Sequence, residues 1–183
     1  MSLPARAQEV LNFWFVESGP AQWFRKDEAF DETIRERFGG LVEEALGGAL
    51  EAWGDSDVGA VALILVLDQF TRNLFRGEGR SYAGDEKALA LSLRVQARGT
   101  WTAMEGRHKH FLLIPMMHSE SLEIQERSLP LFKEHCGERV HDFGVRHRDI
   151  IARFGRFPHR NAALGRTSTP EEVAFLKEPG SSF

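Results

Sequence analysis

The stretch Val61-Ala-Leu-Ile-Leu-Val-Leu67, followed by Asp68-Gln-Phe-Thr-Arg-Asn-Leu-Phe-Arg76, decides the fold. Its first seven residues are apolar on every side, which suits either a buried parallel strand or a buried helix. The sequence offers no second run of this kind to pair with it, and the residues after Leu67 continue at helical period without a breaker. The stretch therefore predicts one central helix that is enclosed at its start.

A polar stripe follows on the same predicted helix. At 100° per residue, the stripe covers roughly 140° of arc, opposite an apolar face, and it consists of Asp68, Gln69, Arg72, Asn73 and Arg76. Asp68 and Arg72 are spaced i,i+4, so their side chains can form an ion pair. Because the helix is apolar all round upstream, we expect this pair to be internal and the stripe to face an enclosed cleft.

The composition of the rest of the chain also favours helix. Val, Ile and Thr together number 22, against 18 Ala and 19 Leu, and β-branched residues are the ones that strands prefer. We predict an all-α fold of about eight helices in a tetratricopeptide-like or α-solenoid-like array without a β-sheet, although no 34-residue repeat is visible. Its 183 residues suit a single domain, 1–183, with a possible N-terminal lobe, 1–55, packed on a helical array, 56–183.

Several classes of protein are excluded at this stage. The single cysteine, Cys136, rules out a disulfide framework and a multi-thiolate metal site. The lack of an 18-residue apolar run argues against a membrane protein, and the lack of a secretory signal predicts a cytoplasmic location. The net charge of −4 argues against nucleic-acid binding. No cofactor is predicted, and the sequence does not indicate an oligomeric state.

Helix boundaries near the stripe can also be predicted. Asp85 is expected to cap the helix that follows the central one, and Pro115 to kink or end a helix that begins near Arg107. The helix from Arg139 to Phe154 is amphipathic, with an inward stripe of Val140, Phe143, His147, Ile150, Ile151 and Phe154.

The segment Gly144 to Arg166 is rich in arginine. It holds six arginines and one acid, a net charge of +5, and a turn-rich connection within it reads Arg156-Phe-Pro-His-Arg-Asn161. Guanidinium groups bind carboxylates and phosphates in a bidentate manner, so the segment is a candidate anion site. The alternative is that these arginines cap helices and pair with acids of residues 1–60, which carry a net charge of −7.

Histidines provide a second set of candidates. Possible acid–base catalysts or metal ligands are His118-Ser-Glu120, His147 and His159. The sequence lacks an HExxH motif, however, and we predict no metal site. His147 lies on the apolar stripe, where a hydrogen-bonded core histidine is the common outcome.

Several motifs together resemble the bacterial domain of unknown function 924. They are Val10-Leu-Asn-Phe-Trp14, Asp68-Gln-Phe70, Arg72-Asn73, Phe75-Arg-Gly77, Met117-His-Ser-Glu120, Arg153-Phe-Gly-Arg-Phe-Pro-His-Arg-Asn161, Leu164-Gly-Arg166 and Ser168-Thr169. Thr71 and Leu74 depart from the family's usual proline and isoleucine. The resemblance implies an all-α, tetratricopeptide-like fold and no activity, because a shared fold does not transfer function.

Two hypotheses of function follow. The first is a non-catalytic module that binds an anionic small molecule or an acidic peptide, and the alternative is a hydrolase-like enzyme that uses His118, Glu120, His147 and His159. In both, the polar stripe and the segment 153–166 meet across one cleft, because buried polar groups need partners. The surplus positive charge there must meet acids elsewhere, open to water or hold an anion.

No catalytic residue is assigned, and the predicted ligand-binding residues are Asp68, Arg72, Asn73, Arg76, His118, Glu120, His147, Arg153, Arg156, His159, Arg160, Asn161 and Arg166.

Overall fold

The structure is a computed structural model that describes residues 3–183, and within this range the regular structure is entirely helical. This confirms the predicted all-α class. The α-helices are Ala5–Asn12 (α1), Pro20–Trp23 (α2), Glu28–Leu46 (α3), Asp57–Ile64 (α4), Thr71–Leu74 (α5), Asp85–Gln96 (α6), Gly106–Met117 (α7), Leu122–Cys136 (α8), Glu138–Phe154 (α9) and Pro170–Phe175 (α10). Short 3₁₀ helices cover Glu51–Asp55, Gly79–Tyr82, Thr100–Ala103 and Pro158–Arg160, and α1 ends in a π-helical turn, Phe13–Glu17.

The predicted central helix is present and buried. Ser56 caps it, since its Oγ accepts a hydrogen bond from the Gly59 amide at 3.1 Å. Residues 60–70 are all at most 5% exposed. Between α4 and α5 the helix widens into a π turn, Leu65–Phe70, which the periodicity did not predict. Such turns occur frequently at functional sites, and this one contains the first two polar residues of the stripe.

The start of α6 lies directly against this helix. A Cβ on Gly84 would lie 2.1 Å from the carbonyl oxygen of Leu67, an approach that only glycine allows. This explains why a glycine precedes α6. Asp85 is the first residue of α6, so the prediction that Asp85 caps this helix is wrong. The close approach instead directs the Asp85 carboxylate toward the polar stripe.

Aromatic rings from the N-terminal helices surround the central helix. Phe70 lies 5.7 Å from Trp14 and 5.0 Å from Phe38, measured between ring centroids, and Trp14 stacks on Trp23 at 5.8 Å. The large hydrophobic core takes residues from Ala7 to Phe132, so the helices of residues 3–55 share it with the later ones. The single-domain assignment and the N-terminal lobe stay predictions.

The later helices pack in succession, α7 on α8 and α8 on α9. The helix α7 continues past Pro115 and ends two residues later at Met117. On α9 the predicted stripe holds at His147, Ile150 and Ile151, which are buried. Phe143, however, is 40% exposed, because the contact with α8 is centred on the neighbouring Gly144.

A small second cluster of apolar side chains joins the end of α9 to the last helix; it consists of Ile150, Ile151, Phe157 and Phe175. No helix in residues 3–183 is both long and apolar enough to cross a bilayer. The tetratricopeptide-like arrangement does not conflict with this packing and stays a prediction.

Candidate functional site

A buried carboxylate–imidazole pair lies where the central helix meets the end of α7. Nδ1 of His118 lies 2.6 Å from Oδ1 of Asp68. Asp68 is 0% exposed, whereas 14% of the His118 side chain is exposed. The π turn brings Asp68 to this position, and α7 ends at Met117, so His118 is the first residue after the helix.

Three neighbours keep the Asp68 carboxylate ionised. Burial pushes the pKa of Asp68 upward, but the charge of Arg72, together with His118 and a hydrogen bond from the Gln69 amide, lowers the pKa well below its usual range. Nη1 of Arg72 lies 3.3 Å from Oδ1 of Asp68. The predicted internal ion pair is therefore confirmed.

The hydrogen bond fixes the tautomer of His118. An ionised carboxylate only accepts hydrogen bonds, so Nδ1 of His118 carries the proton and Nε2 has the free lone pair. Burial lowers the pKa of His118, and although Asp68 opposes this, the net pKa lies below 6.5. The imidazole is therefore neutral at pH 7, and no hydrogen bond to Nε2 is found among the described residues.

Two arginines from distant parts of the chain share one carboxylate beside this pair. Arg72 forms a bidentate interaction with Asp85, at 2.7 and 2.9 Å, and Nη1 of Arg160 lies 3.2 Å from Oδ2 of the same residue. Nη2 of Arg160 donates to the carbonyl oxygen of His118 at 3.0 Å. We call Asp68, Arg72, Asp85, His118 and Arg160 the His118 cluster.

One residue of the stripe, Arg72, and one of the arginine-rich segment, Arg160, meet at Asp85 in the His118 cluster, and the predicted cleft between the two features stays a prediction. Tyr82 lies under both guanidinium groups, 4.5 Å from that of Arg160 and 5.5 Å from that of Arg72. Nε of Arg160 is buried without a partner in the described structure. Whether this arrangement binds a ligand stays a prediction.

A second set of ion pairs holds the loop that carries Arg160. Glu120 accepts two hydrogen bonds from Arg166, at 2.7 and 2.9 Å, and one from the amide of Phe157 at 2.7 Å. Although burial opposes it, these bonds lower the pKa of Glu120. Glu120 is thus a structural partner of the loop, with both carboxylate oxygens occupied.

The loop is also tied to the last helix. Glu172 receives bonds from Arg156 at 2.7 and 2.8 Å and from the Asn161 amide at 3.3 Å, and it completes the predicted capping box with Thr169. The bond from Arg156 lowers the pKa of Glu172 to about 2. Arg156 and Asn161 therefore hold the loop in place and do not point into the His118 cluster.

The other predicted residues lie apart from the cluster. Asn73 and Arg76 both bind Asp31 of α3, at 2.7 Å and 2.8–2.9 Å. Arg153 pairs with Glu171, and both side chains are about half-exposed or more. The stripe is thus divided, with Asp68 and Arg72 on one side of the helix and Asn73 and Arg76 facing α3.

Of the three outcomes open to the surplus positive charge, the structure favours pairing with acids. Each predicted arginine has a carboxylate partner, and only Asp31 of those partners comes from the acidic N-terminal helices. The remaining partners are Asp68, Asp85, Glu120, Glu171 and Glu172. The pairing therefore weakens the case for an anion held by arginine alone.

Two further histidines border the His118 cluster. The ring of His147 lies 6.2 Å from that of His118, and its Nδ1 donates to the carbonyl oxygen of Phe143 at 2.7 Å. Burial lowers the pKa of His147 to about 3 and that of His159 to about 4. The ring of Phe183 stacks on His147 at 3.7 Å.

Sequence reasoning missed Asp85, Tyr82 and Phe183 as parts of this region. Asp85 was interpreted as a helix cap, and nothing in the local pattern of the other two indicates where they lie. The Gly84-Asp85 pair at the start of a helix was the available signal for Asp85 alone, since a glycine there can mark a close approach of two helices.

Neither a metal cluster nor a reactive thiol lies in this region of the described residues. Donor atoms of Glu138, His141 and Asp142 come within 4.8 Å of one another, but both acidic side chains are more than 60% exposed. Burial raises the pKa of Cys136 to about 12, so the thiol is protonated at pH 7 and is no nucleophile.

Comparison with known proteins agrees with the geometry of the fold. A solved structure of a protein of unknown function from Agrobacterium tumefaciens is 38% identical, with a TM-score of 0.89, over 94% of this chain and 97% of that one. A search of curated proteins gave no match. The model of a bacterial family, described as bacterial protein of unknown function (DUF924), matches residues 10–180. The chain therefore belongs to the DUF924 family.

Proposed function

We propose that the protein is a hydrolase-like enzyme in which His118, oriented by Asp68, acts as a general base. The observation that carries the proposal is the 2.6 Å hydrogen bond from Nδ1 of His118 to a fully buried, ionised carboxylate. Such a bond leaves Nε2 free to accept a proton and stabilises the imidazolium that forms. A general base must be unprotonated at the working pH, and the lowered pKa of His118 meets this requirement.

Water is the nucleophile in this proposal. No serine, threonine or cysteine side chain is hydrogen-bonded to His118 in the described part of the chain, and the Cys136 thiol is protonated at pH 7. Arg72 and Arg160 are paired with Asp68 and Asp85, and Arg160 also donates to the His118 carbonyl oxygen. In this proposal the two arginines therefore act by fixing the position of the carboxylate and of the imidazole ring.

A non-catalytic module for an anionic small molecule or an acidic peptide is the second candidate. It is supported by the meeting of Arg72 and Arg160 at Asp85, and by Nε of Arg160, which is buried without a partner in the described structure. Two surface depressions of about 500 and 340 Å³ lie elsewhere, near Asp27. We place the protein in the cytoplasm, and its net charge of −4 makes nucleic acid a poor partner.

The test compares His118→Asn with wild type on p-nitrophenyl acetate and p-nitrophenyl phosphate. Asparagine keeps an N–H near the position of Nδ1 for Asp68 and removes Nε2. We expect the wild type to hydrolyse one of the two probes, and the rate should rise with pH through a pKa below 6.5 as His118 loses its proton. The variant should be slower by roughly 100-fold or more. His141→Asn is the matched control and should keep full activity.

Two results would contradict the proposal. One is a His118→Asn variant that is folded and retains wild-type turnover. The other is a wild type without turnover whose melting temperature is raised by inorganic phosphate or citrate, which would favour the binding module.

A further inference from the structure

We propose that the aromatic recess formed by His147, Phe157 and His159 is a subsite for a planar aromatic ring of the ligand, and that the side chain of Phe183 fills this subsite in the present structure. The inference deepens the proposed function by naming a substrate class, compounds that carry an aryl group, and it rests on that function only for the role of the neighbouring His118.

The geometry of the recess is that of an aromatic-binding slot. The Phe183 ring stacks face to face on His147, with 3.7 Å between centroids and 17° between planes. It meets His159 nearly edge-on at 6.2 Å and 78°. Phe157 contacts both imidazoles, that of His147 at 5.7 Å and 80° and that of His159 at 5.6 Å and 46°. Face and edge contacts of this kind are the arrangements that aromatic rings prefer.

The chemistry of the slot suits a neutral aryl group. Nδ1 of His147 donates to the Phe143 carbonyl oxygen, so the ring is held in one orientation by its own helix. Burial keeps the imidazole uncharged at pH 7, and a neutral ring stacks on an aryl face without losing the hydration of a charge.

Little holds Phe183 in the slot besides this stacking. The last hydrogen bonds of the segment belong to Ser181, whose amide and hydroxyl donate to Glu178 and Leu176, and none is found at residues 182–183. Phe183 is 50% exposed and lies outside both hydrophobic clusters. An aromatic stack changes an equilibrium constant by roughly two- to tenfold, so a ligand ring can replace this side chain.

The recess lies next to the His118 cluster. His147 is 5% exposed while Phe183 covers it, and its ring lies 6.2 Å from that of His118. An aryl group seated in place of Phe183 would therefore stack on a ring that borders the proposed general base. His147 supplies the stacking face and His159 the edge contact, which makes these two histidines the specificity-determining residues.

The experiment measures the binding of benzamide and of its non-aromatic analogue, cyclohexanecarboxamide, by NMR titration of the His147 ring protons. Phe183→Ala should bind benzamide roughly tenfold more tightly than wild type, because the competing side chain is gone. In this variant benzamide should also bind roughly two- to tenfold more tightly than the cyclohexane analogue, which cannot stack. Phe24→Ala, which removes a 62% exposed aromatic side chain that stacks on Phe111 and His110, is the matched control and should bind as wild type does.

Further variants separate the possible failures. Phe183→Leu retains an apolar side chain without a stack and should show part of the gain, which guards against a folding defect in Phe183→Ala. Equal affinities of folded Phe183→Ala for the two probes, or unchanged benzamide affinity in folded Phe183→Ala and Phe183→Leu, would overturn the subsite. The double variant Phe183→Ala/His118→Asn distinguishes the two proposals, since it should bind benzamide tightly even if His118 proves to have no catalytic role.

Discussion

The surroundings of the central helix and the surroundings of the loop 155–169 are stabilised by different forces. Around the central helix, aromatic and aliphatic side chains from α1, α3, α4 and α7 form one apolar core. The loop, by contrast, has four buried apolar residues nearby and is held mainly by arginine–carboxylate pairs. The first region depends on burial of apolar surface, whereas the second depends on charge.

The contrast shows why the candidate site lies where it does. A partly buried ion pair holds charged side chains in a fixed orientation, whereas a close-packed apolar core contains no polar side chains to orient. The His118 cluster lies at the boundary of the two regions, with Asp68 inside the core and Arg160 on the loop. This arrangement holds the polar groups in fixed positions while leaving part of His118 exposed.

The largest expected effect lies at this boundary. Asp68→Ala leaves Arg72 with a buried charge and removes the acceptor for His118, so we expect a loss of about 3–5 kcal/mol in the free energy of unfolding. Urea denaturation measures this loss. The exposed pair of Arg6 and Glu44 provides the control, since Arg6→Ala should leave the midpoint unchanged. A loss below about 1 kcal/mol for Asp68→Ala would mean that the pair is not enclosed.

A cavity in the apolar core should be nearly as costly. Leu65 is 0% exposed in the π turn, and Leu65→Ala should cost about 2–5 kcal/mol. Because this loss comes from apolar burial, it should not change between low and high salt. A strong dependence on salt would contradict the contrast between the two regions.

A substitution in the loop, unlike Leu65→Ala, should cause a loss of stability that depends on salt. Glu120→Gln keeps an acceptor for the Phe157 amide but removes the charge that binds Arg166, so we expect a loss of about 1–2 kcal/mol, reduced in high salt. Hydrogen exchange of the Phe157 amide measures the local opening of the loop. Glu171→Gln, at the exposed pair with Arg153, should have no such effect.

An effect similar in size to that of Glu120→Gln concerns pH and the buried histidines. The pKa of His147 is about 3 in the folded chain and about 6.5 when unfolded. The unfolded chain therefore takes up the proton first, and the stability that is fully present above pH 6.5 is lost as the pH falls, by at most about 1.4 kcal/mol per pH unit. Urea denaturation at pH 7 and pH 5 measures this slope.

A variant at His147 tests how much of this dependence of stability on pH comes from that residue. His147→Gln should show a shallower pH dependence than wild type, while His141→Gln should match wild type. His110, His118 and His159 also have lowered pKa values and act in the same direction, so part of the slope should remain. An unchanged slope in His147→Gln would show that this ring does not resist protonation in the fold.

Local patterns predicted much of the fold and part of the site. The apolar run 61–67 predicted the buried helix, the i,i+4 spacing predicted the ion pair of Asp68 and Arg72, and Thr169-Pro-Glu-Glu172 predicted the capping box. Each of these features depends on residues at most six positions apart in the chain. The pairing of Asp68 with His118, 50 residues away, has no such local signature.

By itself, the sequence determined the helical class, the buried central helix and the presence of the arginine-rich segment, because composition and short-range periodicity act within one helix. Only the tertiary structure decided which carboxylate each arginine meets, that Asp85 joins Arg72 to Arg160, and that Phe183 stacks on His147. The reason is physical: an ion pair or an aromatic stack needs two groups within a few ångströms, and for groups far apart in the chain that distance is set by the packing of whole helices.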